Sequence, residues 1–373
     1  MPDKNKIGYR PTWAEVNLNN LEYNFRLVKS LLSPRTKILV TVKADAYGHG
    51  LIAVSKRLSV CGADYLGVAS IDEGIKLRKA GIKTPILLLG LILKKDIPPL
   101  FTYHLTPTIC DKELASAINS KAAKLQKKIA LHIKVDTGMG RIGVLPEDAL
   151  GLVKDMHKLK NIIIEGIFTH FAFADLSRKF TDYQINLFNK LVTDLKKAGI
   201  VVPLVHAANS IGLIDYKHSH FTMVRPGLVI YGLHPKEDLK IKLKPVLSLK
   251  TRVVFIKHVN KGSTISYAGT YITKRPTNIV TLPIGYGDGY PRNLSNLAPL
   301  LISGRRFHVS GRICMDQIMV DVGNFKPKVG EEVVLIGRQG KQKVTVEELA
   351  DLSGTISYEI VCGLGSRIPR VYK

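Results

Sequence analysis

The chain reads KILVTVKADAYGHG from residue 37 to residue 50. The run 37–42 is largely apolar and β-branched, a pattern that predicts a buried strand. Lys43 follows this run directly, where partial desolvation would lower the pKa of its amine and free it to form a Schiff base with a carbonyl compound. Tyr47 places a hydroxyl nearby, and Gly48 and Gly50 allow backbone to approach a ligand closely. A reactive amine would sit here, although a single lysine in a chain with 55 Lys and Arg is by itself more typical of a solvated surface residue.

Length and composition indicate a globular protein with more than one folding unit. The 373 residues exceed one ordinary domain, and the hydrophobic fraction of 45% and charged fraction of 23% are typical of a folded chain. The four cysteines, Cys61, Cys110, Cys314 and Cys362, lie far apart and show no paired metal or redox spacing. We therefore expect free thiols and no metal site.

The net charge of +25 would attract polyanions. The basic residues are dispersed in helical stretches such as 121–128 and 154–160, and no zinc-finger spacing or aromatic-basic RNA signature accompanies them. We expect no nucleic-acid partner; the alternative predicts retention on DNA at physiological salt. No uncharged run is long enough to span a bilayer, and the first residues lack the apolar segment of a signal peptide. We therefore expect a cytoplasmic protein with no membrane partner.

Strand and helix patterns alternate along the first two thirds of the chain. Strands are predicted at 37–42, 64–69, 85–89, 105–109, 128–135, 162–168, 203–207 and 223–231. Helical periodicity lies between most of them, for example at 71–80, 112–125, 146–158 and 181–198. The alternation predicts a TIM-like, eight-stranded α/β barrel as an N-terminal domain over residues 12–245. An open doubly wound sheet is the less favoured alternative, because no dinucleotide-type glycine fingerprint follows the first strand.

The pattern changes near residue 246, where short strands follow one another through Gly, Pro and Asn turns. Strands are predicted at 247–259, 263–267, 278–283, 307–313, 317–322 and 332–336, with one clear helix signal at 346–351. We expect a C-terminal, mainly-β domain over residues 246–373. Residues 1–11 are expected to pair with it, because the barrel needs nothing before residue 12 by this strand count.

Polar motifs follow several predicted barrel strands at their carboxyl ends, where function collects in this architecture. These motifs are DTGMGRIG at 136–143, THF at 169–171, ANS at 208–210 and RPG at 225–227. Each one alone is more typical of a plain turn, a structural histidine or a helix cap. Together with the Lys43 segment they predict a ligand site, in which Ser210, Gly227 and Leu228 are placed to bind phosphate.

In order and approximate spacing, these segments resemble those of alanine racemases over nearly the whole chain. The second domain contributes SYAGT at 266–270, GYGDGY at 285–290 and GRICMD at 311–316. The resemblance implies a fold-type III pyridoxal-phosphate enzyme that forms a head-to-tail homodimer, in which the second domain completes the partner's active site. The implied reaction interconverts L-alanine and D-alanine and supplies D-alanine for peptidoglycan.

The resemblance also implies a role for individual residues. The two catalytic bases, one on each face of the substrate, would be Lys43, which also holds the cofactor, and Tyr267 of the partner subunit. Cofactor contacts are implied for Lys43, Tyr47, His170, Asn209, Ser210, Arg225, Gly227, Leu228 and Tyr358. Substrate contacts are implied for Arg141, Met315 and Tyr286. Lys134 matches a position that is carbamylated in many family members, and the implied access channel is lined by Asp175, Arg292, Arg312 and Ile356.

Other functions remain open for a chain with these motifs. A serine or broad-specificity racemase would need only different pocket loops. A non-catalytic pyridoxal-phosphate-binding protein is less favoured, because such proteins are typically barrel-only, and the Tyr267 segment also disfavours a decarboxylase. The sequence departs from the family pattern at Thr41, where an aliphatic residue is more common, and at Ala268, where glycine is common.

Overall fold

The computed structural model describes residues 9–236 and 241–373. The first nine strands in these ranges are β1 (Thr12–Val16), β2 (Lys37–Thr41), β3 (Tyr65–Val68), β4 (Ile86–Leu88), β5 (Thr108–Ile109), β6 (Ile129–Lys134), β7 (Ile162–Phe168), β8 (Leu204–His206) and β9 (Met223–Val224). The later strands are β10 (Leu247–Arg252), β11 (Phe255–Val259), β12 (Thr264–Ile265), β13 (Tyr271–Ile272), β14 (Thr277–Leu282), β15 (Pro299–Ile302), β16 (Arg305–His308), β17 (Ile318–Gly323), β18 (Glu332–Gln339), β19 (Gln342–Val344) and β20 (Arg370–Tyr372).

Helices alternate with the strands of the first domain and are rare in the second. They are α1 (Leu18–Ser30), α2 (Lys43–Tyr47), α3 (Leu51–Cys61), α4 (Ile71–Lys79), α5 (Pro98–Thr102), α6 (Lys112–Lys124), α7 (Pro146–His157), α8 (Arg178–Lys197), α9 (Ser210–Asp215), α10 (Val346–Ser353) and α11 (Ser357–Gly363). Within the described ranges, no helix combines the length and the apolar character needed to cross a bilayer.

Strands β2 to β9 form a closed parallel barrel. The orders β4-β3-β2-β9 and β5-β6-β7-β8 are both parallel throughout. A parallel bridge between Leu87 and Thr106 joins the two groups on one side. On the other side, the N–H of Thr222 donates to the carbonyl of Val205 at 3.1 Å, which links β8 to β9. The predicted eight-stranded α/β barrel is confirmed.

The barrel helices pack through one apolar face, as α8 shows. Its buried residues include Ile185, Phe188, Leu191 and Leu195, which recur at the spacing of helical turns. Burying each such side chain contributes roughly 1.5–3 kcal/mol. The helix begins three residues before the predicted start at 181, because the Ser177 hydroxyl accepts the N–H of Phe180 and caps it.

The second domain is mainly β, as predicted. A seven-stranded sheet has the order β16-β15-β18-β10-β1-β20 with β19 beside β18, and smaller sheets have the orders β11-β14-β17 and β12-β13. The predicted strand at 247–259 is two strands in the structure, because the chain leaves one sheet after Arg252 and enters another at Phe255.

The amino-terminal strand β1 belongs to the sheet of the second domain. It pairs antiparallel with β10 and parallel with β20. The barrel therefore begins after β1 rather than at residue 12, while the remaining limits of the two domain ranges stay a prediction. Of residues 1–11, which were expected to pair with the second domain, 1–8 lie outside the described residues. Arg10 does pair with Asp288 of that domain.

The second domain also supports the loop that follows Lys43. Arg370 donates from Nε to the carbonyl of Gly48 at 2.9 Å. Gly48 has φ +75°, and a Cβ there would lie 2.0 Å from the carbonyl oxygen of Val361. Only glycine allows this close backbone approach between the loop and α11.

Candidate active site

The turn after Lys43 has the left-handed conformation that L-residues avoid. Residues 44–47 all have φ between +52° and +55°. Each such residue costs about 1–2 kcal/mol. The Glu73 carboxylate offsets part of this cost, because it accepts the N–H of Ala44 at 2.7 Å and that of Ala69 at 2.7 Å. Sequence reasoning missed Glu73, and the turn shows backbone strain of the kind that concentrates at functional sites.

The amine of Lys43 has a lowered pKa. Burial is the largest cause, the nearby Arg141 guanidinium lowers the pKa further, and Glu73 and Cys362 oppose the shift. A lower pKa leaves a larger neutral fraction of the amine, which is the nucleophilic form. The structure therefore supports the predicted reactive lysine.

His170 lies in a strongly cationic environment. Burial holds its pKa well below the usual value, and four cationic side chains lower it further, namely Arg225, Lys134, Arg141 and Lys43. The imidazole is therefore neutral at pH 7. This concentration of positive charge around one ring suits a ligand with several anionic groups.

Arg225 is held rigidly in the barrel with only 5% of its surface exposed. Its NH1 donates to Nδ1 of His206 at 2.9 Å, and its NH2 donates to the carbonyl of Thr169 at 2.6 Å and lies 3.4 Å from Nδ1 of His170. The guanidinium also lies 5.2 Å from the centroid of the Phe168 ring. Burial lowers its pKa to about 9, so it remains protonated at pH 7.

A chain of buried polar groups continues from Arg225 across the barrel. Nε2 of His206 lies 2.9 Å from Nδ1 of His132, and Nε2 of His132 lies 3.4 Å from Oε2 of Glu165. The Tyr65 hydroxyl donates to Oε1 of Glu165 at 2.6 Å. Because arginine can only donate, both histidines must accept on Nδ1 and donate from Nε2. Glu165 is thus the negative end of a chain that compensates the charge of Arg225.

An irregularity in β7 builds this chain. The register between β6 and β7 pairs Leu131 with Ile164 and His132 with Gly166, which leaves Glu165 as an extra, bulged residue. A Cβ at Gly166 would lie 2.4 Å from the His132 ring, so only glycine fits there. Sequence reasoning missed Glu165, His132 and His206. The available signal was a charged residue beside a glycine inside the apolar run IIIEGIF at 162–168.

Polar groups converge on Gly227, where phosphate binding was predicted. The Gly227 N–H donates to the Ser210 hydroxyl at 3.0 Å, and a Cβ at Gly227 would lie 2.8 Å from the Tyr47 hydroxyl. The rings of Tyr47 and Tyr358 lie 5.7 Å apart. The Asn209 side chain caps α9 by accepting N–H groups at its start. Because Gly227 has no side chain, a space remains between its backbone and the hydroxyls of Tyr47 and Ser210. This space, the Gly227 cradle, fits a phosphate group.

A cavity of about 520 Å³ lies beside these groups, within the size range of small-molecule sites. The predicted residues on its lining are His170, Asn209, Leu228, Tyr358, Asp175 and Ile356. The cavity therefore brings together predicted residues from both domains, whereas Lys43, Tyr47, Ser210, Arg225 and Gly227 are not on its lining. Within the described ranges, no group of three or more His, Cys, Asp or Glu side chains is arranged to hold a metal ion.

The glycine-rich turn that carries Arg141 is organised by Asp136. Its carboxylate accepts four consecutive N–H groups, those of residues 138–141, at 2.8–3.1 Å. Burial opposes ionisation of Asp136, but these hydrogen bonds outweigh it and lower its pKa. Sequence reasoning quoted this motif without giving Asp136 a role. The Arg141 side chain itself is exposed.

Lys134 is buried within the barrel, with 2% of its surface exposed. Its Nζ donates to the carbonyl of Val135 at 2.7 Å. Burial, then Arg225, lowers its pKa to about 7, so a large fraction of the amine is neutral at physiological pH. A neutral amine is the form that reacts with carbon dioxide.

Three predicted site residues of the second domain, Tyr267, Met315 and Tyr286, form a separate group, unlike Tyr358 and Ile356, which line the barrel cavity. Tyr267 and Met315 are 68% and 53% exposed and line another cavity, of about 570 Å³. The N–H of Tyr286 donates to the carbonyl of Cys314 at 3.0 Å, which places Tyr286 beside Met315. Two predicted channel residues also lie in this domain. The carbonyl of Arg312 accepts a hydrogen bond from the Ser266 hydroxyl, and Arg292 is exposed. Neither Tyr267 nor Met315 lines the barrel cavity of the same chain.

Comparison with known proteins agrees with this architecture. The family model described as alanine racemase, N-terminal domain, matches residues 16–235, and that of the C-terminal domain matches residues 246–372. The alanine racemase of Halothermothrix orenii is 49% identical over 99% of this chain and 98% of its own length. That of Carboxydothermus hydrogenoformans is 46% identical over 97% of this chain and 100% of its own.

Solved structures show the same similarity. The alanine racemase of Clostridium difficile 630 superposes with a TM-score of 0.94 at 41% identity, covering 98% of this chain and 96% of that one. The enzyme of Bacillus anthracis with bound L-Ala-P gives 0.92 at 37% identity, with the same coverage. The family is generally dimeric and depends on pyridoxal phosphate. The fold and both family matches confirm the predicted resemblance: the chain belongs to the alanine racemase family.

Proposed function

We propose that this chain interconverts L-alanine and D-alanine with pyridoxal 5'-phosphate held on Lys43. The observation that carries the proposal is the Lys43 amine of lowered pKa, which shares one cationic environment with Arg141, Lys134 and Arg225 around His170. In the cytoplasm this reaction would supply D-alanine for peptidoglycan.

The residues present fit the cofactor. The Gly227 cradle, with the hydroxyls of Tyr47 and Ser210, suits its phosphate, and the N–H groups at the start of the 3₁₀ helix Leu228–Tyr231 lie beside it. Arg225 would donate to the ring nitrogen and, with a pKa of about 9, leave that nitrogen without a proton. His170, Asn209 and Tyr358 would complete the enclosure.

The chain's own groups would move and hold protons on two faces of the substrate. When bound, pyridoxal phosphate withdraws electrons from the α-carbon of the amino acid and so acidifies its α-proton. Lys43 Nζ would exchange this proton with D-alanine, and the hydroxyl of Tyr267 would exchange it with L-alanine from the opposite face. Arg141 would hold the substrate carboxylate.

We propose that Tyr267, Met315 and Tyr286 serve the site of a second copy of the chain in a homodimer. Their exposure on one chain, apart from the barrel cavity, supports this arrangement. The backbone N–H of Met315 would bind the carboxylate, and Tyr286 would limit the pocket to a small side chain. His170 and Arg225 would position the incoming tyrosine hydroxyl.

We also propose that Lys134 is carbamylated. Its pKa of about 7 supplies the neutral amine that carbon dioxide requires, and Arg141 and Arg225 supply nearby positive charge for the anionic product. A carbamate would place a negative charge at this buried position, and so would orient Arg141 toward the substrate.

Chiral chromatography of L-alanine incubated with the purified protein and pyridoxal phosphate tests the proposed function. The expected result is an approach to equal amounts of the two enantiomers, which the Lys43→Ala variant does not reproduce. L-Serine in a parallel reaction tests the alternative of broader specificity. Bound cofactor with no racemisation of either amino acid would contradict the proposal and favour a non-catalytic role.

A further inference from the structure

A basic cavity of about 960 Å³ lies in the second domain, apart from every residue given a role above. It is formed by β13 and the turn after it, by β16, and by the segment that leaves β17. The volume is at the upper end of the range for small-molecule sites. The proposed racemase activity makes no use of it.

The cavity is positively charged and has little internal compensation. Lys274, Arg275, Arg305 and Lys326 line it, and none of them forms an ion pair with an acidic side chain of the described residues. A fifth cation on the lining, Arg306, is paired with Glu348. Since most exposed arginines and lysines are merely solvated, charge alone would not indicate a site.

The single carboxylate among the described lining residues, that of Asp321, is already bonded to neutral donors. It accepts the Tyr271 hydroxyl at 2.8 Å, the N–H of Gly323 at 2.9 Å and the hydroxyl of Thr277. These bonds hold Asp321 against the sheet rather than against the cations. The positive charge of the cavity is therefore free to act on a ligand.

Packing positions two of the cations before any ligand binds. The rings of Phe307 and Phe325 are stacked with centroids 5.7 Å apart, and the guanidinium of Arg305 lies 4.8 Å from the centroid of the Phe325 ring. Arg275 lies against Gly323, where a Cβ would approach its NH2 to 3.0 Å. Positioned arginines lose less side-chain entropy on binding, and their planar donors match the oxygens of phosphate.

We propose that this cavity binds the polyphosphate chain of a multiply charged anion. Its cations line a space too large for one phosphate group, and arginine with lysine is the pairing that recognises phosphate chains. The same chemistry is carried by free inorganic polyphosphate and by nucleoside triphosphates. The site is separate from the Gly227 cradle, and the proposal does not depend on the racemase activity.

Calorimetry on the protein loaded with pyridoxal phosphate tests the proposal, because a filled cradle cannot take up the probe. Inorganic tripolyphosphate and ATP are titrated separately at about 0.15 M ionic strength, where weak surface attraction is screened. The test variant is Arg305→Gln with Lys326→Gln. The control variant, Lys257→Gln with Lys261→Gln, removes the same charge from exposed positions of the same domain outside the cavity.

The expected result is binding of a single tripolyphosphate per chain, weakened about tenfold or more in the test variant and less than about twofold in the control. If ATP binds more tightly than tripolyphosphate, the natural ligand is a nucleotide whose base packs against Arg305. If the two bind equally, the cavity recognises the phosphate chain alone. No binding by the unmodified protein, or equal weakening in both variants, would overturn the proposal. Circular dichroism checks that both variants are folded.

Discussion

The two halves of the proposed site differ in how firmly a single chain holds them. In the barrel half, Arg225 is 5% exposed and is fixed by hydrogen bonds to His206 and Thr169. In the half from the second domain, Tyr267 is 68% exposed, and its side chain makes no hydrogen bond within the described part of the chain. In the proposed account, the barrel and residues 347–358 of the same chain form the ligand pocket, while the Tyr267 hairpin presents its side chain to another copy.

Both halves contain left-handed residues, but their support differs. The turn at residues 44–47 is held by Glu73 and by the second domain. Ser266 and Ala268, on either side of Tyr267, have φ of +65° and +59° on a hairpin of two short strands, β12 and β13. The Ser266 hydroxyl donates to the carbonyl of Arg312 at 2.6 Å and lies 3.4 Å from Sγ of Cys314. Substitutions in the barrel half should therefore change activity by removing a chemical group. Substitutions in the other half should also change activity by displacing Tyr267.

Lys43→Ala should have the largest effect, because it removes both the cofactor attachment and one base. We expect racemisation to fall by more than about 10⁴-fold and the absorbance band of the lysine-bound cofactor to disappear. Lys37→Ala, at the exposed opposite end of β2, is the control and should leave both unchanged. A retained band in Lys43→Ala would refute the assignment.

Tyr267→Phe should remove the base that the second domain supplies and leave the barrel half of the site intact. The expected result is a fall in racemisation of about 10²–10⁴-fold with cofactor still bound, since the phenyl ring keeps its position but cannot carry a proton. Tyr271→Phe removes a hydroxyl from the same hairpin, and should cost far less activity because that hydroxyl donates to Asp321, which has no proposed part in the reaction. Near-normal turnover of Tyr267→Phe in both directions would count against two bases.

Glu165→Gln tests whether the rigidity of the barrel half depends on its distant carboxylate. Loss of the charge facing His132 should reduce the free energy of unfolding at pH 7 by about 1–3 kcal/mol in urea titrations. The His132 ring, whose Nε2 lies 3.4 Å from Oε2 of Glu165, is the main cause of the lowered pKa of Glu165. That stabilisation is present above the pKa of an unfolded glutamate, about 4.3, and is lost as pH falls through the folded pKa.

The difference between wild type and Glu165→Gln should therefore shrink in acid. Glu147→Gln, at an exposed position in the first turn of α7, is the control and should cost less than about 1 kcal/mol. A constant difference from neutral to acidic pH would show that the charge of Glu165 is not what stabilises the fold.

Carbamylation of Lys134 should be visible in ¹³C NMR of protein equilibrated with ¹³C-labelled carbon dioxide. Because the amine becomes neutral as pH rises through about 7, the carbamate signal should grow across that range at a fixed concentration of dissolved carbon dioxide. The Lys134→Ala variant should lack the signal. A signal that persists in this variant would belong to another amine.

Ala268→Gly should give the smallest effect, a change in stability alone. It tests whether the left-handed turn beside Tyr267 is strained. Glycine adopts φ +59° without the penalty of a side chain, so stability should rise by about 0.5–1 kcal/mol in denaturant titrations. Ala117→Gly in the middle of α6 should instead lose about 1 kcal/mol. A loss of stability in Ala268→Gly would show that this turn is not strained.

Local patterns predicted most of the fold. The eight barrel strands were located because β-branched runs are separated by helical periodicity. The last one is shorter than predicted, since Pro226 and Gly227 interrupt it and the chain continues as the 3₁₀ helix Leu228–Tyr231. The short elements β15, β20 and α11 were not predicted. The place of β1 in the second domain's sheet depends on pairing with residues more than two hundred positions away, which no local pattern contains.

Sequence motifs pointed to the residues that we expect to touch the ligand. They did not point to the side chains that hold those residues in place. Glu73, Asp136 and Glu165 act on backbone or on other side chains rather than on a ligand. His132 and His206 are 74 positions apart, and their contact exists only once the barrel has closed. Such supporting roles follow from tertiary contacts, so a single sequence does not reveal them.

The most direct test of the two-half account is the activity of a heterodimer that contains one Lys43→Ala chain and one Tyr267→Phe chain, co-expressed with different affinity tags. If each site takes Lys43 from one chain and Tyr267 from the other, one of the two sites in this heterodimer is intact. The account predicts about half of the wild-type activity from two chains that are nearly inactive as homodimers. Activity no higher than that of the separate variants would contradict it, because both bases would then have to come from the same chain.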